Sequence, residues 1–200
     1  MPAIADLPPA KASEARDRLL ATAGAIFYAE GINSVGVDRI VSEAQVTRAT
    51  FYRHFAGKAE LVLAYLQARH DFIAGRAATQ AETLAGNDLL RAIADDIVHR
   101  INMDGFRGCE FINAASEFED PQSPIHQAVA RHRAWFFGLV RDAFVAAGHY
   151  DPEGAARHFV MLRDGAMVAG YLGDPVATGT TFREGVEHVI ATKQAPNPGA

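Results

Sequence analysis

A short segment near the start of the chain concentrates side chains that can contact DNA. The candidate contacts are Thr47, Arg48, Ala49, Thr50, Tyr52, His54 and Lys58. Arg48 can donate two hydrogen bonds to O6 and N7 of one guanine, while Ala49 and Thr50 carry methyl groups that can contact a thymine methyl. The tyrosine, histidine and lysine are better placed to contact phosphates. These residue types predict an interface with double-stranded DNA. The alternative is a helix face that contacts only solvent.

Two short predicted helices would present these side chains. Residues 37–44 place apolar side chains at i, i+3, i+4 and i+7, which is one face of a helix. A second helix is expected over residues 48–55, with Thr47 as its N-cap. Phe51 and Phe55 lie four residues apart and would point inward together. Two short helices with a tight turn and a basic outer face predict a helix-turn-helix, whose second helix enters a DNA major groove.

The spacing of residues around this hairpin is specific. Phe27 and Gly31 form an aromatic-x-x-x-Gly phrase at the end of the preceding predicted helix. A Tyr-x-x-Phe-x-x-Lys-x-x-Leu phrase follows the hairpin as Tyr52, Phe55, Lys58 and Leu61. Residues 13–65 therefore resemble the N-terminal domain of TetR-type transcriptional regulators. The resemblance implies that Tyr52 and Lys58 contact the DNA backbone and that a helical effector-binding and dimerisation domain follows.

The chain departs from that family pattern at two positions. Gly36 stands where the family usually has a Thr or Ser that contacts a phosphate, so we expect this contact to be missing. Gln45 stands in place of the usual turn glycine, and a non-glycine residue with positive φ carries some strain. Neither departure changes the predicted recognition helix.

Bulk composition excludes several classes of protein. The chain has 200 residues and a net charge of −5, which argues against binding to polyanions through charge alone. Cys109 is the only cysteine, so no intrachain disulfide is possible, which fits a reducing compartment. The first dozen residues hold three prolines and no long apolar run, and no later stretch approaches about 18 uncharged apolar residues. We therefore expect no signal peptide, no membrane span and a cytoplasmic location.

Apolar periodicity beyond the hairpin predicts only helices, so the expected fold class is all-α. The predicted helices outside the hairpin cover residues 13–30, 58–85, 88–101, 111–118, 124–147, 152–172 and 180–192. Ser13 is the expected cap of the first, and Asn87 or Asp88 that of the third. Asp151 followed by Pro152 is a strong helix start, while Gly173-Asp174-Pro175 is expected to end that helix.

These helices predict two domains. Residues 13–58 would form a three-helix DNA-binding domain that contains the helix-turn-helix. Residues 59–193 would form a helical effector-binding and dimerisation domain.

The second predicted domain is rich in aromatic side chains that could line an apolar cavity with a few polar anchors. The candidate ligand-binding residues are Phe72, Phe106, Phe111, Asn113, His132, Trp135, Phe136, Phe159 and Arg163. The family resemblance implies such a cavity for a small-molecule effector. The alternative for each of these residues is a place in an ordinary hydrophobic core.

Other reactive side chains carry weaker signals. Cys109 is interpreted as a half-buried small residue, with a redox sensor as the alternative. Asp95 and His99 have the i, i+4 spacing of a metal pair, but the sequence indicates no third ligand. Glu117 is expected to belong to a solvated helix end. We therefore expect no metal, no cofactor and no enzymatic activity.

The predicted helix over residues 153–172 is apolar on nearly all sides, which is more than one buried stripe needs. In the family that it resembles, the last two helices form a four-helix bundle with a second copy. The expected dimer-interface residues are Met161, Met167, Val168, Tyr171, Phe182, Val186 and Val189. The alternative is burial of this helix inside one monomer.

Together these features predict a homodimeric DNA-binding transcriptional regulator. We expect a repressor that a small-molecule effector releases from a palindromic operator. The alternative from another class is a helical small-molecule-binding protein or enzyme in which the hairpin is purely structural.

Overall fold

The computed structural model describes the backbone of residues 9–192 and the side chains of residues 14–192. This part of the chain forms nine α-helices and no strand, so the predicted all-α class is confirmed. The helices are α1 (Pro9–Glu30), α2 (Val37–Glu43), α3 (Arg48–His54), α4 (Lys58–Ala81), α5 (Gly86–Ile101), α6 (Glu110–Glu117), α7 (Pro124–Ala146), α8 (Pro152–Leu172) and α9 (Pro175–Ala191). Within the described residues, none of them combines the length and apolar character needed to cross a membrane.

Two predicted helix starts are confirmed by their capping hydrogen bonds. The Thr47 hydroxyl oxygen accepts the Thr50 backbone N–H at 3.1 Å and caps α3. The Asp151 carboxylate accepts the Gly154 backbone N–H at 2.9 Å and caps α8, which begins at Pro152 as expected. These caps satisfy N–H groups that have no partner inside the helix.

The predicted start of the last helix was wrong. It begins at Pro175 rather than near residue 180, because the Asp174 carboxylate accepts the N–H groups of Val176 and Ala177. The pair Asp174-Pro175 repeats the start signal of Asp151-Pro152, so it marks the start of α9 as well as the end of α8. A proline at the first helical position both ends one helix and begins another.

Three other boundaries differ from the sequence prediction. The first helix begins at Pro9 instead of Ser13, and α4 ends at Ala81 instead of near residue 85. The expected side-chain cap of α5 is absent. That helix follows Ala85, and Gly86 at its start has a φ of 55°. A glycine in this conformation turns the chain into the helix without a capping side chain.

The described chain divides into two compact units. Unit 1 comprises the described residues up to Arg69 together with Ala114–Ala128. Its core residues include Leu19, Phe27, Ile40, Phe51, Phe55 and Leu61, all of them buried. This core fixes α1, α2 and α3 against one another. The predicted domain boundary between residues 58 and 59 remains a prediction, and Lys193 lies outside the described residues.

Unit 2 comprises His70–Asn113 and the described residues from Val129 onward. Its core is built on α5, α8 and α9, and α8 and α9 pack along each other. The largest fully buried side chains of this unit include Leu90, Ile101, Phe111, Phe144 and Phe159.

Close packing of α5 against α8 depends on one glycine. A Cβ atom at Gly170 would overlap Cγ2 of Ile101, which is itself buried. We expect Gly170→Ala to lower the free energy of unfolding by about 1–3 kcal/mol, because overpacking forces neighbouring side chains to shift. Urea denaturation measures the change. Gly75→Ala in α4 is the matched control, since its Cβ would meet nothing within 4 Å. The control is expected to be stabilised by about 0.5–1 kcal/mol.

Candidate nucleic-acid interface

The turn between α2 and α3 sets the direction of the second helix. Gln45 has a φ of 52°, the one positive value among non-glycine residues that the structure describes. The positive φ expected at this position is therefore confirmed. Backbone hydrogen bonds from Gln45 N to Ser42 O and from Val46 N to Val41 O, each 3.1 Å, close the end of α2. Ile40 of α2 and Phe51 of α3 are both fully buried in the core of unit 1.

Most of the predicted DNA contacts are accessible on α3. Thr47, Arg48, Ala49 and Tyr52 are exposed, and Thr50 is half-buried. The Thr47 and Thr50 hydroxyl groups lie 2.9 Å apart and hydrogen-bond to each other. Both hydroxyl groups are therefore engaged in the helix cap. The methyl group of Thr50 is the part of that side chain that remains available for a DNA contact.

His54 is less well placed for a phosphate contact than the sequence predicted. Its Nε2 atom is buried and has no hydrogen-bond partner among the described residues. The ring is half-buried at the end of α3. A solvent-shielded nitrogen cannot reach a phosphate without a rotation of the ring.

Arg48 does not extend freely into solvent. Its Nη1 atom lies 3.0 Å from Oδ1 of Asp38 on α2. A side-chain hydrogen bond with Tyr52 raises the pKa of Arg48, and the charge of Asp38 adds to that effect. The guanidinium therefore interacts with an acidic side chain of α2 and with the tyrosine one turn further along α3.

A second arginine braces the hairpin instead of facing outward. Arg39 donates to Glu43 at 2.7 Å within α2 and to Glu30 at 2.6 Å at the end of α1. These hydrogen bonds, with Glu30 first and Glu43 second, raise the pKa of Arg39. Arg39 thus joins α1 to α2 and is not a free cation for DNA.

Lys58 lies at the first position of α4 and is half-buried. Burial lowers the pKa of Lys58, while the nearby Glu117 carboxylate opposes that shift. The same carboxylate accepts hydrogen bonds from two backbone N–H groups after α1, from Ile32 at 2.8 Å and from Asn33 at 2.5 Å. The Asn33 amide also donates to the backbone oxygen of Glu117 at 3.1 Å. The prediction that Glu117 belongs to a solvated helix end is therefore wrong, because its carboxylate binds the loop after α1.

Replacement of Glu117 is expected to loosen the connection between α1 and α2. Glu117→Ala leaves the N–H groups of Ile32 and Asn33 without their carboxylate partner. We expect the free energy of unfolding to fall by about 1–2 kcal/mol, at the lower end of the range for charged hydrogen bonds because the site is partly exposed. Thermal unfolding measures the loss. Glu119→Ala, at an exposed position two residues away, is the control. Equal melting temperatures for the two variants would contradict this role of Glu117.

Six of the predicted ligand-binding residues form one cluster in unit 2. This cluster contains Phe111, His132, Trp135, Phe136, Phe159 and Arg163, together with His70 and Cys109, which the sequence did not single out as members. The rings of Phe111 and His132 stack with centroids 3.5 Å apart. Nδ1 of His132 lies 3.1 Å from Nδ1 of His70.

The cluster keeps His132 neutral and Arg163 charged. Burial lowers the pKa of His132 to about 3, and electrostatic interactions with Arg163, His70 and Arg133 add to that shift. Buried Arg163 donates to Cys109 Sγ at 3.1 Å and to Asp164 at 2.8 Å. A neutral imidazole beside a buried guanidinium offers both an acceptor and a charge to a polar ligand.

Three other predicted ligand contacts lie outside that cluster. Phe72 is 60% exposed, so it does not line a closed apolar cavity. Asn113 donates from Nδ2 to the Arg107 backbone oxygen at 2.9 Å, which braces the loop before α6. Phe106 is half-buried in the same loop. Among residues 14–192, whose side chains the structure describes, His, Cys, Asp and Glu side chains do not gather in threes that would hold a metal ion.

The predicted dimer residues differ in exposure. Met167, Phe182 and Val186 are buried within unit 2, at most 3% exposed, because they fill the space between α8 and its neighbours. Their place in a dimer interface remains a prediction, and Val189 is half-buried. Met161, Val168 and Tyr171 are exposed, as are Leu172 and Val176, which were not among the predicted interface residues. The unexplained apolar surface thus lies on the outer side of α8 and the start of α9.

Comparison with known proteins places this arrangement in a family. Residues 19–65 match the model for bacterial regulatory proteins of the tetR family. SCO4454, a TetR-family transcriptional regulator from Streptomyces coelicolor with a known crystal structure, is 51% identical in sequence to this chain. The two structures superpose with a TM-score of 0.87. The match covers 91% of this chain and 97% of that one.

Two curated relatives match over shorter stretches. The transcriptional regulator SrpR of Pseudomonas putida is 40% identical over 60 residues, which is 30% of this chain and 28% of that protein. The transcriptional activator FasR of Mycolicibacterium smegmatis is 30% identical over 118 residues, which is 58% of this chain and 53% of that protein. The matched part of the chain thus spans at most about half the length of these two relatives.

Proposed function

Because the chain belongs to the tetR family of bacterial regulatory proteins, we propose that it is a DNA-binding transcriptional repressor controlled by a small-molecule effector. The observation that carries the proposal is the exposed first turn of α3. Arg48, Ala49 and Thr50 lie there behind the Thr47 cap, where a docked recognition helix approaches the base edges. Its target is the bacterial chromosome, so its place of action is the cytoplasm.

The DNA target is a palindromic operator contacted by a homodimer. Two copies of α3 would lie about 34–36 Å apart, in successive major grooves. The exposed apolar side of α8, with Met161, Val168 and Leu172, supports a second copy as its partner. A contiguous apolar surface of this kind is typical of an interface.

The effector is proposed to bind at the cluster that contains His132 and Arg163. Half-buried Trp135 and Phe136 supply apolar surface, while the imidazole and the guanidinium supply polar contacts. The effector must have different affinities for the DNA-bound and released conformations, because equal affinities would shift nothing. Helix α6 is the proposed route. It carries Phe111 of the cluster near its start and Glu117, the partner of the loop after α1, at its end.

Selection from duplex DNA with a randomised core tests the proposal. Wild-type protein is expected to enrich a palindromic sequence and to bind it in a gel shift that resists competitor DNA and weakens with added salt. An absence of enrichment would contradict the DNA-binding function and favour a helical ligand-binding protein or enzyme instead.

A further inference from the structure

The contact between Asp38 and Arg48 joins the two helices of the hairpin on their exposed side. Asp38 is the second residue of α2, and Arg48 is the first residue of α3. Their side chains are 75% and 61% exposed, and the charged atoms lie 3.0 Å apart. A side-chain hydrogen bond with Tyr52 also raises the pKa of Arg48.

This ion pair does little for the stability of the free protein. Exposed pairs gain little because water screens them and because both side chains lose freedom. The location of the Asp38–Arg48 pair on the hairpin matters more for DNA binding than for stability. The first turn of α3 and the start of α2 lie on the surface that docks on DNA in a helix-turn-helix, where the base edges are flanked by phosphates. A negative charge on that surface lowers the affinity for every DNA sequence, so Asp38 needs another role to offset that cost.

We propose that Asp38 is a specificity-determining residue that positions the Arg48 guanidinium for one base pair and opposes its contact with phosphates. The inference rests on the proposed DNA-binding function and deepens it. A guanidinium has five N–H donors, and Asp38 and Tyr52 engage only part of them. The remaining donors keep the fork geometry that matches O6 and N7 of guanine.

Two physical effects make this positioning selective. A free arginine loses much rotamer freedom when it binds a base, and a side chain already held in place loses less. An arginine released from Asp38 can instead contact a phosphate, which any sequence provides. Asp38 therefore exchanges sequence-independent affinity for discrimination at one position in each half-site.

The experiment compares wild type with Asp38→Asn on the duplex library with a randomised core. Enrichment at each position gives the discrimination, and titrations at several salt concentrations give the number of phosphates neutralised. We expect Asp38→Asn to lose about tenfold discrimination at one base pair of each half-site. Its affinity for non-specific duplex is expected to rise. Its slope of log K against log salt is expected to steepen by about one, as for one added phosphate contact.

Matched variants separate positioning from a general charge effect. Glu43→Gln removes the same charge from the same helix, but Glu43 pairs with Arg39 and not with Arg48. This control is expected to leave discrimination at every position unchanged. Adding Asp38→Asn to an Arg48→Ala protein should change nothing at the affected base pair. Asp38→Ser provides a second neutral variant, and circular dichroism confirms folding of each protein.

The outcomes distinguish this inference from the function on which it rests. If wild type selects a sequence and Asp38→Asn selects it equally sharply, the positioning role is wrong while the DNA-binding function stands. A loss spread evenly over all positions, or one that Glu43→Gln shares, also overturns it. If wild type enriches no sequence, the proposed function fails, and the inference fails with it.

Discussion

The Arg48→Ala variant is expected to lose sequence-selective DNA binding while it keeps its fold. The side chain is exposed at the first turn of α3 and contributes nothing to the buried core, so its removal leaves the hairpin intact. One lost arginine–guanine contact lowers affinity about tenfold at a half-site, and a symmetric operator has two, which gives about a hundredfold in total. Gel-shift titration on the selected sequence measures this loss, and thermal unfolding measures the fold.

Arg53→Ala is the control for this prediction. Arg53 is an exposed arginine on the same helix, in its last turn, away from the Thr47 cap. Its loss is expected to weaken binding to all sequences by a similar small factor, because it removes charge without removing a base contact. An Arg48→Ala protein that keeps wild-type preference at every operator position would show that a different residue makes the base contact.

The hairpin could be predicted from sequence because its determinants are local. The apolar spacing of residues 37–44, the Thr47 cap and the inward pair Phe51 and Phe55 all act within a few residues. The positive φ of Gln45 was expected because the family that the chain resembles usually has a glycine at this turn position. Where neighbours in the chain decide the structure, sequence spacing carries enough information.

The features that were missed depend on distant contacts. Glu117 binds the loop after α1 from 85 residues away, and a carboxylate at a helix end gives no sign of such a partner. His70 meets His132 across 62 residues, so its membership in the cluster was not predictable from spacing. The start of α9 is a different case, because the local sequence does carry the signal. Asp174 followed by Pro175 is a helix start, although the prediction used the pair only as the end of α8.

The same limit applies to α8, which is apolar on several sides. Periodicity identifies apolar positions but cannot say which of them face the rest of the same chain and which face outward. Met167 and Val168 are adjacent, yet Met167 is 3% exposed and Val168 is 49% exposed. A charge at Met167 would therefore disrupt the core of unit 2 and could not test a dimer. A valid test must use the outer side of α8.

Placing negative charge on that outer side is expected to produce monomers that no longer bind the operator. Met161 is 71% exposed and lies seven residues before Val168, so both occupy the same side of α8. In a two-fold interface each substitution appears twice, and the double variant Met161→Glu with Val168→Glu places four carboxylates in one apolar contact. Burial of unpaired charge prevents association. Light scattering is expected to give half the wild-type mass.

Loss of the dimer also removes the second half-site contact. Operator affinity is expected to fall by about 10²–10⁴-fold, because the second recognition helix no longer binds at high effective concentration. Val145→Glu, at an exposed apolar residue of α7, controls for added surface charge and should keep both the mass and the affinity. Should the double variant keep the dimer mass, another surface forms the interface, and the outer side of α8 would need a different partner. A monomer that keeps full operator affinity would show instead that two-fold DNA contact is not required.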